Sequence, residues 1–396
     1  MPLRIAIIGC GVAGSVLAGM LAGQPGIAIT CFEKTGLGDQ SEAGTGLNVG
    51  PNAIKALSLT NPALAEAVRA ASYDWARWKV CLTDGSIVFD FAITELADQS
   101  GIRVRWSELY RVLRAPVQHM VRFGTTVTAC DYDPHQRGKL VVESIDADGI
   151  AHKDTGFDMV VVTDGRYSAL RPQFGGEWAP RHIGVTIYRL LVDDTSGGLI
   201  NDYGWWFNGA KRLLAFRVPD NKVYIAGSFP MKPGADIPAD QQTPDALAAH
   251  YLPASGTACP EVQWMVDQLV MRHTHIHWAR LQESPVLFKD PAGHVLFLGD
   301  SAHGMVPTLG QGASQSMEDA CVAGSIILRS EGLPAAQITQ AIAVAREARL
   351  RFVMDLSTDA TAAMLSGADG RAEMARLRTP DYQLQFKRLW SDVHLG

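Results

Sequence analysis

Three glycines in the run Gly9-Cys10-Gly11-Val12-Ala13-Gly14 follow an apolar segment and open a helical one. That placement suits phosphate binding. Gly9 permits a tight turn, Gly11 lets the backbone approach a pyrophosphate, and Gly14 lets helix and strand pack closely. The N–H groups of the first helical turn, around Val12 and Ala13, have no partner within the helix. They face the phosphates where the helix dipole favours negative charge. Glu33 ends the next apolar segment, 24 positions after Gly9, where its carboxylate accepts hydrogen bonds from ribose hydroxyls; Lys34 adjoins it. The pattern points to a dinucleotide and leaves NAD and FAD both open.

A second motif separates them. Val295-Leu296-Phe297-Leu298-Gly299-Asp300 reads as a buried strand ending in a carboxylate, followed by Ser301-Ala302-His303 and Pro307-Thr308-Leu309-Gly310-Gln311-Gly312-Ala313. A carboxylate at a strand's end binds a hydroxylated chain such as a flavin's ribityl. The Gly310-Gln311-Gly312 turn exposes N–H groups to the negative charge of a reduced flavin ring, a dipole effect of about 0.3–1 kcal/mol. Plain turn-building is the alternative for both glycine patterns. The third motif, Val160-Val161-Val162-Thr163-Asp164-Gly165-Arg166-Tyr167-Ser168 followed by Arg171, is another apolar strand ending in an acid–glycine turn.

In this order and at these separations the motifs resemble the single-component flavin aromatic hydroxylases, a family that includes p-hydroxybenzoate, salicylate, 6-hydroxynicotinate and urate hydroxylating enzymes. The resemblance extends over nearly the whole chain. Ala43-Gly44-Thr45-Gly46-Leu47-Asn48-Val49-Gly50-Pro51-Asn52 is similar to the family's segment beside the flavin ring, and Trp205-Trp206-Phe207-Asn208-Gly209-Ala210-Lys211-Arg212 to its substrate-domain strand and turn. The resemblance implies FAD as cofactor, with Glu33 on the adenosine ribose and Val127 on the adenine side. It also implies Asp300 on the ribityl, Gly299 in the same turn, and Asp164 serving FAD and the nicotinamide cofactor. Gly46, Leu47, Pro307 and Gly310-Gln311-Gly312 are implied as walls of the isoalloxazine. One departure is visible: Trp106-Ser107-Glu108-Leu109 stands where the family usually has Arg-x-x-Leu. Arg105 or Arg111 is then the candidate charge near the FAD phosphates.

The same resemblance implies NADPH or NADH as transient reductant and O2 as oxidant. A flavin C4a-hydroperoxide would hydroxylate a small planar aromatic or N-heteroaromatic ring. The cofactor carries that chemistry, and the protein positions the ring and excludes water. Pro307, Arg212 and Tyr224 are the candidate catalytic positions. Arg212 and Arg189 are candidate anchors for an anionic or carbonyl group, Tyr224 a hydrogen-bond partner, and Trp205, Trp206 and Phe216 a pocket lining; a structural role is the alternative for each. A larger natural-product aromatic and a non-catalytic FAD-binding sensor are the competing functions. Flavin-dependent halogenation fits poorly, because there is no Trp-x-Trp-x-Ile-Pro segment.

The elements that must position these residues follow from periodicity. Leu3–Ile8, a helix over Gly14–Ala22, and Ile27–Phe32 form a parallel βαβ unit. Around Val80–Phe91 and from Ile183 to Phe229, alternating apolar and polar residues with turns such as Pro219-Asp220-Asn221 predict a mostly antiparallel sheet. Pro230–Asp245 reads as a loop, and Gly312–Leu328 and Gln337–Leu365 as helices. The fold class is α/β: a Rossmann-like FAD-binding domain (residues 1–75, 103–180 and 286–396, with C-terminal helices) interrupted by a substrate domain (76–102 and 181–285). His273, His275 and His277 alternate, so a strand would present three imidazoles on one face. That is a zinc or copper geometry in principle, but they are read as sheet residues and no metal is assigned. His303, inside the second motif, is read as local structure.

The chain of 396 residues suits two packed domains. A net charge of -6 without basic clusters argues against nucleic acid as a partner. Six scattered cysteines without a Cys-x-x-Cys pair suit a reducing cytoplasm. The apolar N-terminus is broken by glycines at fixed spacing, unlike a secretory signal, and no stretch is long enough for a membrane span. A homodimer is compatible with all of this.

Overall fold

The computed structural model describes residues 2–38, 45–176, 178–253, 257–365 and 375–396. Strand β1 (Leu3–Ile8) pairs in parallel with β2 (Ile27–Glu33) and with β12 (Met159–Val162), Ile7 lying opposite Cys31 and Val161. With β8 (Val121–Phe123) and β18 (Val295–Phe297) they form a sheet in the order β18-β12-β1-β2-β8. A parallel sheet is covered on both faces, which is why Met159–Val162 is apolar and buried throughout. Helix α1 (Val12–Leu21) connects β1 to β2 and packs against α9 (Gln311–Arg329), so almost none of its surface reaches solvent.

The larger sheet has seven strands in the order β17-β13-β16-β15-β14-β5-β6. These are β5 (Arg77–Leu82), β6 (Ile87–Ala92), β13 (Arg181–Asp193), β14 (Tyr203–Asn208), β15 (Lys211–Val218), β16 (Lys222–Pro230) and β17 (His277–Glu283). Every neighbouring pair is antiparallel except β14 with β5. Asp220 and Asn221 adopt φ of 63° and 52°, the paired left-handed conformation of a tight hairpin turn between β15 and β16. Trp205, Phe207, Leu214, Phe216 and Tyr224 share one face of this sheet and one core with the nucleotide-side strands and the C-terminal helix Pro380–Ser391. Trp206, Leu213 and Ile225 point the other way, under α6 (Pro244–Tyr251) and α7 (Pro260–Met271).

Smaller elements join the two sheets. β3 (Gly46–Val49), β7 (Gly101–Arg105) and β4 (Tyr73–Trp75) form a three-stranded ribbon in the order β3-β7-β4. Helices α2 (Pro51–Thr60), α3 (Pro62–Ala70) and α4 (Trp106–Arg114) follow from it. A second ribbon, β9 (Thr126–Tyr132), β10 (Leu140–Ile145) and β11 (Ala151–Phe157), precedes β12. Short helices α5 (Arg171–Gly175) and α8 (Asp300–His303) and the long α10 (Ala335–Leu365) complete the set used below. Among the described residues no helix is long and apolar enough to cross a membrane.

Some expectations need correction. The histidine alternation is not a strand: His273–His275 forms a 3-10 turn and only His277 enters β17, so the three imidazoles do not share a strand face. The turn wins because α7 ends just before it and the chain must reverse direction. Strand β18 stops at Phe297, and Asp300 opens α8 rather than closing the strand. The segment Pro230–Asp245 is a loop interrupted by a 3-10 turn at Ala239–Gln242, and α6 already begins at Pro244. Ala43 and Gly44 of the ring-side segment lie outside the described residues.

Candidate functional site

The three strand-end turns meet. A β-carbon built on Gly9, whose φ is +92°, would lie 2.6 Å from the Thr163 carbonyl oxygen and 2.9 Å from the Asp164 Cα. The Thr163 hydroxyl donates to the Gly9 carbonyl at 2.6 Å, joining the first and third motifs. One on Gly14 would lie 2.0 Å from the Gly9 oxygen, so no larger residue fits where α1 leaves β1. From the other side, a β-carbon on Gly299 would lie 3.6 Å from Ala13 Cβ. Arg171, buried, staples the third motif to the second by donating to the carbonyls of Ser301 at 2.6 Å and Ala302 at 3.0 Å. Turns from three distant stretches of chain therefore converge at the carboxyl ends of β1, β12 and β18.

Around Gly9–Gly14 the groups suit an anion. Helix α1 starts at Gly11 with no side-chain cap and no acid in its first turn, and a β-carbon on Gly11 would meet no atom within 4 Å. Its first N–H groups, at Val12 and Ala13, have no partner within the helix. Glu33 is buried at the end of β2, accepting from the Cys10 N–H at 2.7 Å and from the Thr35 N–H and hydroxyl at 3.0 and 2.8 Å. Lys34 beside it is exposed, and Val127 is buried on β9 close to this strand end.

Arg105 and Arg111 both have partners elsewhere: Arg105 pairs with Asp220 of the β15–β16 turn, and Arg111 with Glu108 at 2.6 Å on its own helix. The cation next to the glycine turn is Arg114, which sequence reasoning missed. Its Nε donates to the Cys10 carbonyl at 2.7 Å, and its guanidinium lies 3.3 Å from Glu33. The signal was present: Trp106, Tyr110 and Arg114 recur at the helical spacing of four, and the Arg114 guanidinium stacks 4.8 Å over Tyr110.

At the far end Asp300 is paired with Arg166 at 3.5 Å, and one of its oxygens lies close to Gly312. Arg166 also donates to the carbonyls of Gln282 at 3.2 Å and Met305 at 2.9 Å, the latter just before Pro307. Gly310 adopts the left-handed φ of +65°, and a β-carbon there would strike Asn48 Nδ2 at 2.5 Å. Strand β3 thus runs directly beside the Gly310-Gln311-Gly312 turn, while its Gly46 and Leu47 are buried. Ala313 follows in the first turn of α9 and is half-buried, as is Pro307. Burial pushes the Asp164 carboxyl up to about 6, against hydrogen bonds from Ser168 and the backbone that lower it. Its Oδ1 is buried with no hydrogen-bond partner among the described residues.

Beyond β3 lies the inner face of the seven-stranded sheet. Arg212 is 4 % exposed, its guanidinium 4.6 Å over the Trp205 ring, and its Nη1 is buried with no partner among the described residues. No carboxylate pairs with it among the described residues, and burial lowers its pKa. The buried hydroxyl of Ser228, directly opposite on β16, and the Trp205 Nε1 likewise have no partner among the described residues. Tyr224 lies on the same face, packed against Phe216 at 4.9 Å, and burial raises its pKa. Arg189 is half-buried on β13 opposite Ala226 of the same face. Trp206 faces away, into the core beneath α6 and α7, so of the expected pocket aromatics only Trp205 and Phe216 share this face.

Comparison with known proteins gives a consistent picture. Residues 3–332 match the family described as FAD binding domain. The 2-heptyl-3-hydroxy-4(1H)-quinolone synthase of Pseudomonas aeruginosa is 27% identical over 369 residues, covering 89% of this chain and 87% of that one. The FAD-dependent urate hydroxylase of Klebsiella pneumoniae is 25% identical, covering 84% of each. In three dimensions the chain superimposes on Klebsiella pneumoniae HpxO, solved with FAD and uric acid, with a TM-score of 0.80 at 20% identity, covering 99% of this chain and 98% of that one. A salicylate hydroxylase substrate complex gives 0.71 at 20% identity, covering 100% and 99%. At these identities the structural likeness is one of fold.

Proposed function

The chain belongs to the FAD binding domain family, and from that premise we propose that it is an NAD(P)H- and O2-dependent monooxygenase hydroxylating a small planar aromatic or N-heteroaromatic compound. FAD fits the residues present. The uncapped start of α1 at Gly11, and Asp164 Oδ1 and the amide nitrogens of Asn48 and Gln311, which have no partner among the described residues, mark the line of turns from Glu33 to Pro307 that the cofactor would follow. Along it, Glu33 and Val127 would hold the adenosine, Gly9–Gly14 and Arg114 the pyrophosphate, and Asp300 the ribityl. Leu47, Pro307 and Gly310–Gly312 would bound the ring. When bound, FAD supplies the redox chemistry between NAD(P)H, O2 and the substrate ring.

The protein's own contribution lies on the facing sheet. The observation that carries the reading is Arg212: a buried guanidinium that has, among the described residues, a free Nη1 and no carboxylate is complete only when a ligand brings an acceptor. Ser228 offers a second polar group on the same face, and Trp205 and Phe216 give flat apolar walls. This favours a planar ring carrying an oxyanion, carboxylate or carbonyl, held with its edge toward Arg212. Tyr224, between this face and β3, stays protonated because burial raises its pKa, and its phenol would donate a hydrogen bond to a substrate oxygen. The domain division is part of the same proposal: 1–75, 103–180 and 286–396 serve FAD, and 76–102 and 181–285 serve the substrate.

The test is a panel of hydroxybenzoates, hydroxypyridines and purines, scored for stimulated oxidation of NADH and of NADPH, with hydrogen peroxide measured alongside. A hit gives stimulation with little peroxide. A yellow protein that no nicotinamide cofactor reduces, with or without aromatic ligand, would point to a sensor instead.

A further inference from the structure

Under the flavin turns lies a buried ion cluster that the reaction scheme does not use. Asp319 of α9 is fully buried. Its Oδ2 accepts from the Gly299 N–H at 2.8 Å and from His303 Nε2 at 2.5 Å, and its Oδ1 from Arg346 Nε at 2.7 Å. Arg346, reaching in from α10, uses its other two nitrogens on Glu318 at 3.0 Å and Gln315 at 2.6 Å. Gln315 in turn donates to Gln311 at 3.1 Å, as does Asn52. Asn52 also donates to Glu318 and opens α2 directly after β3. One chain of bonds thus runs from the Gly299–Asp300 turn to the Gly310–Gly312 turn and on to the β3–α2 junction.

We propose that Asp319 is a positioning residue for the flavin: with Arg346 it locks the ribityl-side turn at Gly299–Asp300 to the ring-side turn at Gly310–Gly312. Charge balance explains why carboxylates are needed. Glu318 and Asp319 oppose Arg346 and Arg349, all at low exposure, and such a cluster has one tight arrangement because any unmatched charge there is costly. Both Gln311 hydrogen bonds end on its oxygen, which fixes the amide's orientation. Its nitrogen, and that of Asn48, which a β-carbon on Gly310 would meet, are buried donors without a partner among the described residues. Burial alone would raise the Asp319 pKa, but His303 and Arg346 hold it far below the usual carboxylate range, so it stays ionised.

The proposal rests on the FAD site described above, and ligand binding to the apoprotein tests the two separately. ADP occupies only the Gly9–Gly14 and Glu33 end, whereas FAD also needs the two turns. Asp319→Asn is expected to weaken FAD at least tenfold while ADP binding changes less than twofold by titration calorimetry. His303→Asn, which keeps every charge of the cluster's carboxylates and arginines, covers the case in which Asp319→Asn does not fold; it should weaken FAD three- to tenfold, again sparing ADP. Thr339→Val, on α10 and bonded to the Gly293 carbonyl instead, should lower the melting temperature yet leave both affinities unchanged. FAD affinity unaltered in the folded variants, or FAD and ADP weakened in parallel, would overturn the positioning role. A parent protein that binds ADP but not FAD would overturn the flavin site itself, and this role with it.

Discussion

Gly46 lies against Tyr224: a β-carbon at residue 46 would sit 2.8 Å from the Tyr224 Cβ. The strand beside the flavin turn and Tyr224, the candidate hydrogen-bond partner of the substrate, are therefore in van der Waals contact, and the contact is with the root of the side chain, which cannot swing away. Gly46→Ala should push β3 and β16 apart at an overpacking cost of about 1–3 kcal/mol. Thermal melting should show that loss. Assayed with a substrate from the panel, the variant should divert a larger share of NAD(P)H oxidation to hydrogen peroxide, because the ring is held less closely. Unchanged coupling would show that this spacing does not matter to turnover.

Arg212 separates stability from function. Its guanidinium is buried and, among the described residues, no carboxylate pairs with it, so the Trp205 ring is left to offset only part of its desolvation. Arg212→Met, similar in length and apolar, should leave the melting temperature unchanged or raise it. The same variant should lose substrate-stimulated NAD(P)H oxidation by about a hundredfold or more, the scale of leaving a buried charge pair unmade. A large fall in melting temperature would mean that Arg212 is structural.

Asp164 predicts a pH dependence. Its folded pKa is raised to about 6 by burial, from 3.8. A raised acid favours the fold while protonated, so that contribution is complete below about 4 and is lost as pH rises through 6. In melting scans of apoprotein, Asp164→Asn should therefore gain on the parent between pH 4 and 7. Parallel curves across that window would refute the assignment.

Asp300→Ala should purify largely colourless. Its carboxylate lies between Arg166 and Gly312, and without it the hydroxylated chain of the cofactor loses its acceptor at this turn. The ratio of flavin absorbance to protein absorbance measures this directly. Full yellow occupancy would remove Asp300 from the cofactor site.

Much of the architecture was legible in local sequence. The βαβ unit, the long helices and the antiparallel strands depend on neighbours a few residues apart, through alternating or helical burial and through glycines that only short-range sterics require. Gly14 is largely such a case, since the nearest atom a β-carbon there would meet belongs to Gly9. The histidine alternation misled because period two is not specific to strands: nothing in His273–His277 records that α7 must end and reverse there.

By itself, then, the sequence determined which turns could cradle a dinucleotide and that three of them end apolar strands. Only the tertiary structure decided which charges they keep. It turned Arg105 to Asp220 and brought Arg114 to the glycine turn. It paired Asp319 with Arg346 across two helices and, among the described residues, left Arg212 without a carboxylate. The reason is physical: burial and pairing depend on segments far apart in the chain, and the energy of a charge depends on both.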